Sequence, residues 1–379
     1  MSTKNEIIRK IESFKDEMIK LQIDLTAIPA ISPVSGGKGE WRKGEFLKGY
    51  LASGGFGSPV CMDAPDDRAE NGVRPNFFVK IKGKNSGKTV WVMSHLDIVP
   101  PGELRLWKGD PYKVRIEDGK LIGRGTEDNQ QGLVASIFAA KALKALGITP
   151  EYDAGLLFVS DEENGSKFGI QHIIKTSPEI FGKNDLFIIP DAGEPDGSMI
   201  EVAEKSICWM KFTTKGKQCH GSMPHLGRNA FNAASHLVCR LNDLYKAFPL
   251  KDPLFDPPIS TFEATKKDAN VENINTIPGE DVFYMDSRVL PAIDLKEVFA
   301  RIDSYCAEVS RDFDVEIKRE FVQMEEAAPP TPADSEVVVS LKKWIKETYD
   351  VEAKVKGIGG GTVAAYLRRL GLQSAVWSK

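Results

Sequence analysis

Cysteine is scarce in this chain and its spacing is uninformative: Cys61, Cys208, Cys219, Cys239 and Cys306 are five residues, an odd number, with no Cys-x-x-Cys among them. That excludes a disulfide framework and a cysteine zinc site, and the thiols read as small buried or partly buried side chains. No apolar run approaches the ~18 residues that span a bilayer. The amino-terminal stretch is charged at Lys4, Glu6, Arg9, Lys10, Glu12, Lys15, Asp16 and Glu17, which leaves no room for the apolar region of a signal peptide. A cytoplasmic protein with no membrane partner is the expectation. Lysines and arginines never form a block of five or six, and the formal net charge is −4, so nucleic acid is excluded as a main partner. Repeats and low-complexity tracts are also missing. What is present is an ordinary globular composition, 41% hydrophobic and 27% charged, in 379 residues. That length exceeds what one core usually supports, so two domains are expected.

Apolar spacing places the elements. Ile7, Ile11, Phe14, Met18 and Leu21 form the stripe of a first helix running to about Leu25, broken by Ile28 to Pro33. A second helix is expected from Trp41 to about Ser53, where Gly54-Gly55 stops it. Strands follow at Asn76 to Ile81, Val90 to Met93 and Lys120 to Ile122, then a helix from Gln131 to Leu146. Leu156 to Val159, Gly169 to Lys175 and Leu186 to Ile189 continue the alternation of strand and helix. The fold class is therefore α/β, a mixed and mostly parallel sheet with helices on both faces. After Asp191 the rhythm changes. Strands at Cys208 to Thr214, Ile259 to Ala264, Glu280 to Val289 and Asp314 to Glu320, with helices at Asn229 to Ala247 and Leu295 to Asp312, describe a two-layer α+β domain. Beyond Pro329, Pro330 and Pro332 the first pattern resumes with helix Ser335 to Tyr349, the Gly357 to Gly361 turn, helix Thr362 to Leu370 and strand Gln373 to Trp377. The expected division is 1–205 and 325–379 for the first domain and 206–324 for an insertion.

Chemistry collects where the apolar strands stop. Val90 to Met93 runs into Ser94-His95-Leu96-Asp97, Leu156 to Val159 into Asp161-Glu162-Glu163, and Leu186 to Ile189 through Pro190 into Asp191. Between them Gly123-Arg124-Gly125-Thr126-Glu127-Asp128 opens a helix. The intervals His95 to Asp128, Asp128 to Glu163 and Glu163 to Asp191 are 33, 35 and 28 residues, each about one strand-helix-strand unit. Parallel sheets keep their sites at the carboxyl ends of strands, so hard ligands are offered on one edge. Asp97 lies on the same side of the chain as His95 and can accept a hydrogen bond from its far ring nitrogen. Asp128 reads either as a helix-capping acid or as a carboxylate set deep in a cleft, where it could bridge two cations. Three successive carboxylates at a sheet edge repel one another, and a dication would relieve this. One glutamate can then bind metal while the other takes a proton from the bound water. One histidine with oxygen ligands suits zinc, with cobalt or manganese able to substitute.

These residues resemble the acetylornithine deacetylase and succinyl-diaminopimelate desuccinylase family, dinuclear zinc peptidases and deacylases that include aminoacylase and several dipeptidases. The resemblance covers essentially the whole chain. Ser94 to Pro100 is similar to the family's first motif, which implies His95 as a zinc ligand and Asp97 as its support. Gly123 to Asp128 is similar to the second, which implies Asp128 bridging both metals and a non-proline cis peptide after it. Asp161-Glu162-Glu163 is similar to the third, implying Glu162 as general base and Glu163 as ligand, and Asp191 matches the ligand completing the His95 site.

In the insertion, which resembles the family's lid and dimerisation domain, Cys219-His220-Gly221-Ser222-Met223-Pro224 matches the histidine motif. By that likeness His220 stabilises the oxyanion in a partner subunit's site. Asn275, Arg288, Gly360, Gly361 and Thr362 match positions that hold a substrate carboxylate. The implied activity is hydrolysis of an N-acyl amino acid or dipeptide with a free carboxylate: a water between two zinc ions attacks with Glu162 as base, in a homodimer. One departure stands out. The family's last strand leads to a loop histidine completing the second metal site and then a final helix, whereas here Lys379 is reached without them. His172 and His236 fall in expected helices and read as structural. The second expectation is accordingly a weak or silent member that binds an amino-acid derivative.

Overall fold

The computed structural model describes residues 3–379. Two compact units share the chain: one comprises residues up to Val202 with Thr331–Val355 and Tyr366–Lys379, the other Ala203–Pro330 with Lys356–Ala365. The turn around Gly359, expected with the first unit, thus clusters with the second.

The first unit is built on an eight-stranded sheet ordered Val60–Cys61, Phe77–Ile81, Tyr152–Val159, Asn85–His95, Leu186–Gly193, Gln373–Ser378, Met199–Glu204, Lys354–Ile358. Its four central strands, from Tyr152–Val159 to Gln373–Ser378, run parallel, and antiparallel partners flank them. The class expected from sequence holds: a mixed α/β sheet with a parallel centre. Central parallel strands are buried on both faces, which is why they read as unbroken apolar runs. Trp91 is wholly buried, edge-on to Phe78 and Phe181 and stacked on Phe187, with its indole N–H donating to Asp185 Oδ2 at 2.8 Å. Helix Gln130–Ala145 sets Leu133, Val134, Ile137 and Phe138 into the same core as Leu21, Leu25 and Phe14. Gly132 lets that helix approach closely, since a Cβ there would lie 2.5 Å from the Pro190 ring.

Register carries the strand ends to one level. His95 pairs with Val159, and Val92 pairs with Ile188, an offset that brings Asp191 opposite His95.

Several expected boundaries moved. The single first helix is two, Thr3–Glu12 and Lys15–Thr26. Ser13 Oγ bonds the Lys10 carbonyl at 2.6 Å, competing with the helical backbone bond, and Phe14 turns inward against Phe138. The strand Met199–Glu204 was not foreseen, because its two glutamates break the apolar run; Glu201 is buried by a paired contact with Arg368 at 2.9 Å. Cys61 and Cys239 are exposed rather than buried, and all five thiols are free. Among the described residues no helix is long and apolar enough to cross a membrane.

The second unit is a four-stranded antiparallel sheet ordered Thr261–Lys267, Glu280–Val289, Ser206–Lys215, Glu316–Glu325. Helices Ala230–Leu241 and Leu295–Phe313 bury Leu237, Ile302 and Val309 against Met210, Phe212 and Phe283. The helix expected to run from 229 to 247 ends at Leu241 and resumes as Leu244–Ala247. Asn229 caps its start, accepting the Asn232 N–H at 3.1 Å.

Candidate metal centre

His95 ends its strand almost wholly buried, and its ring is fixed from behind. Nδ1 donates to the Asp97 carbonyl at 3.0 Å, with the Asp97 carboxylate farther away at 3.5 Å. The support expected from the Asp97 side chain therefore comes first from its backbone. Nε2 is left facing Asp128 Oδ1 at 2.9 Å and Asp191 Oδ1 at 3.3 Å.

The Asp97 carboxylate has another task. Its two oxygens accept the backbone N–H groups of Glu162 and Glu163, each at 3.0 Å. Asp161, just before them, takes a left-handed conformation (φ 65) and sends its carboxylate away from the centre, to Arg74 and to the Phe168 N–H. The acidic triplet thus divides into one residue of the turn's foundation and two that face the cluster.

Asp128 follows Gly125, whose φ of +86 and lack of a Cβ allow the chain to pass Ile98. The peptide from Asp128 to Asn129 is cis, as the resemblance implied. The cap position belongs to Asn129 rather than Asp128. The carboxylate is not deep: its side chain is 56% exposed, standing at the helix mouth against His95. Asn129, absent from the expected residues, donates to the Pro190 carbonyl at 3.0 Å and to Asp191 Oδ1 at 2.7 Å, fixing that carboxylate. Its place beside Asp128 was the available signal.

Two groups of side chains can hold a cation, His95 with Glu162 and Asp191, and His95 with Asp128 and Glu163, their ligand atoms all within 4.8 Å of one another. Among the described residues His95 is the single histidine in either group. Burial raises Glu162 well above the usual carboxylate range, and the charges of Asp191, Asp97 and Glu163 add to it. Glu163 is pushed up to about 7, by burial and then by Asp128. Burial works against a charged His95 but is outweighed by Asp191 and Asp128, so the imidazole keeps its proton well above its ordinary range. Carboxylates crowded round one imidazole are a donor set that fits hard or borderline divalent metals.

The profile of peptidase family M20/M25/M40 matches residues 91–378. The chain belongs to that family. A metallohydrolase of Methanococcus maripaludis is 40% identical over 97% of this chain and 92% of its own length. A succinyl-diaminopimelate desuccinylase of Polynucleobacter necessarius is 23% identical, covering 93% and 88%. Among solved structures, aminopeptidase PepT from Bacillus cereus superposes with a TM-score of 0.73 at 18% identity, covering 96% of this chain and 90% of that one. This M20 chain is therefore a metal-dependent hydrolase of the peptidase or amidohydrolase kind.

The remaining expected residues of this M20 chain lie in the second unit, in two groups. His220 and Asn275 face each other across a short ribbon, Nε2 to Nδ2 at 3.3 Å. The Ser222 N–H and hydroxyl lie 3.2 and 2.8 Å from His220 Nδ1, and the Asn275 amide nitrogen, a donor, faces Nε2. Arg288 is engaged by a neighbour: Nε and Nη2 grip Asp286 at 2.7 and 3.0 Å, and Nη1 donates to the Gly359 carbonyl at 2.7 Å. Three of the five guanidinium N–H groups are so used. Thr362 Oγ1 donates to Glu204 at 2.5 Å, tying down the turn that holds Gly360 and Gly361.

Proposed function

We propose that this chain hydrolyses the amide bond of an N-acyl amino acid, acetylornithine-like or succinyl-diaminopimelate-like, or of a dipeptide, with Glu162 as general base. The carrying observation is the Glu162-Glu163 pair on one turn, both amides held by Asp97, beside His95, Asp128 and Asp191. His95, Asp128, Glu163 and Asp191 would hold two metal ions, zinc by preference. Such ions polarise the scissile carbonyl and the attacking water when bound.

Glu162 accepts a proton from that water and returns it to the leaving amine. Its raised affinity for protons, from burial among like charges, suits both halves of the transfer. His220 is the proposed hydrogen-bond donor to the oxyanion. Arg288 keeps two N–H groups for the substrate carboxylate, and the second unit is the proposed surface of a homodimer. The desuccinylase and peptidase relatives support the amide class, and an N-acyl amino acid fits both.

Glu162→Ala, assayed on a panel of N-acyl amino acids and dipeptides with zinc, cobalt or manganese, should lose hydrolysis while metal content stays near wild type. Retained turnover would overturn the assignment.

A further inference from the structure

Beneath the Glu162-Glu163 turn lies a second polar cluster, sealed from solvent. Arg74 and Glu40 are both 0% exposed, Asp161 2% and Asp66 6%. The Arg74 fork grips both oxygens of Glu40 through Nε and Nη2. Nη2 also reaches Asp161 Oδ1 at 3.2 Å, and Nη1 lies 3.4 Å from Asp66 Oδ2. The Phe168 ring stands 5.6 Å from the guanidinium carbon. Taking four ionisable groups out of water is costly, and well-packed apolar residues usually serve stability as well or better. What the cluster supplies is position.

Asp161 has every polar group engaged. Its N–H donates to Glu40 at 3.3 Å, its carbonyl accepts the Ser166 N–H at 2.6 Å, Oδ1 takes Arg74, and Oδ2 takes the Phe168 N–H at 3.0 Å. The left-handed conformation of this residue aims its own side chain down and the next two amides toward Asp97. Held from both sides, the turn delivers Glu162 and Glu163 at a set height. Misplacement of a reacting group by about 1 Å can cost ~10²-fold in rate.

We propose that Arg74 is a positioning residue for Glu162, acting through Asp161 and Glu40. This rests on the reading of Glu162 as the base. The test uses the full chain, loaded with zinc, with Arg74→Lys and Asp161→Asn made singly and in a Glu162→Gln background. Arg74→Lys keeps the charge and loses the fork. Asp161→Asn keeps a residue that tolerates positive φ and keeps the Phe168 acceptor, but cancels the ion pair.

Each single variant should lower kcat at least ~10-fold, with KM within ~2-fold and metal content unchanged, and neither should slow the Glu162→Gln enzyme further. Wild-type kcat in both variants, or equal losses with and without Glu162, would overturn the proposal and leave only a structural role. If Arg74→Lys does not fold, Asp161→Asn decides by the same criteria. Wild-type turnover in Glu162→Gln alone would instead remove the base reading, and this proposal with it.

Discussion

Lowering the pH should weaken metal binding far more than ordinary carboxylate ligands would allow. In the metal-free centre Glu163 is pushed up to about 7, by burial and then by Asp128, and His95 holds its proton well above its usual range. A cation needs both groups deprotonated, so it must displace protons. The sign follows: groups raised in this way are protonated below their pKa, and affinity falls as pH falls. For Glu163 alone the penalty factor is one plus ten to the power of 7 minus pH. Between pH 8 and pH 5.5 that amounts to about 30-fold, against about 1.1-fold for a glutamate at its ordinary value. Solvent screening at this partly open side chain trims the figure, so a 10- to 30-fold loss is expected, with His95 steepening it further.

Competition against a chelating indicator at several pH values gives the affinity. Calorimetry in two buffers of different ionisation enthalpy counts the protons released. At pH 6 at least one proton should leave as the centre fills. Affinity constant to within ~2-fold from pH 5.5 to 8, with no proton release, would refute the electrostatic account of the cluster.

Lys43 offers a second measurement, because it is wholly buried and its Nζ finds no hydrogen-bond partner among the described residues. Burial lowers it to about 8, partly offset by the charges of Asp97 and Glu40. A folded-state value below the unfolded one of 10.5 means stability rises with pH between about 8 and 10.5, by up to ~3 kcal/mol. Urea midpoints of the metal-free protein should show that rise, and Lys43→Met should lose it; equal pH dependence in the two would refute it. His220→Ala should lower kcat ~10²-fold or more with metal content unchanged, and undiminished turnover would remove its role as oxyanion donor.

The parts of this site legible in sequence are those governed by local pattern. Three of the four segments that meet at the cluster are apolar strands with an abrupt polar end, and parallel register then sets His95, the Asp161 turn and Asp191 level without any further information. What stayed hidden depends on partners remote in sequence. Arg74 lies 34 residues from Glu40 and 87 from Asp161, and nothing in their own surroundings announces a buried cluster. The strand Met199–Glu204 was missed for the same reason, since Glu201 is neutralised by Arg368, 167 residues away. Within Asp161-Glu162-Glu163 all three side chains are alike in type, and only the backbone sign at Asp161 separates the foundation residue from the two that face the cluster.

Asp97 shows where local pattern and tertiary contact meet. Its spacing from His95 gave a correct neighbour and an incomplete role: the ring is oriented by the Asp97 carbonyl, which any residue there would supply, while the carboxylate serves the glutamate turn. One buried residue therefore couples the orientation of the His95 ring to the placement of Glu162 and Glu163. Exchanging its carboxylate for an amide would leave the imidazole contact in place and withdraw an acceptor from one of two amides, so its first effect belongs to the Glu162-Glu163 turn. With Arg74 and Glu40 contacting Asp161 and Asp97 holding the next two amides, the Glu162-Glu163 turn lies between two buried supports.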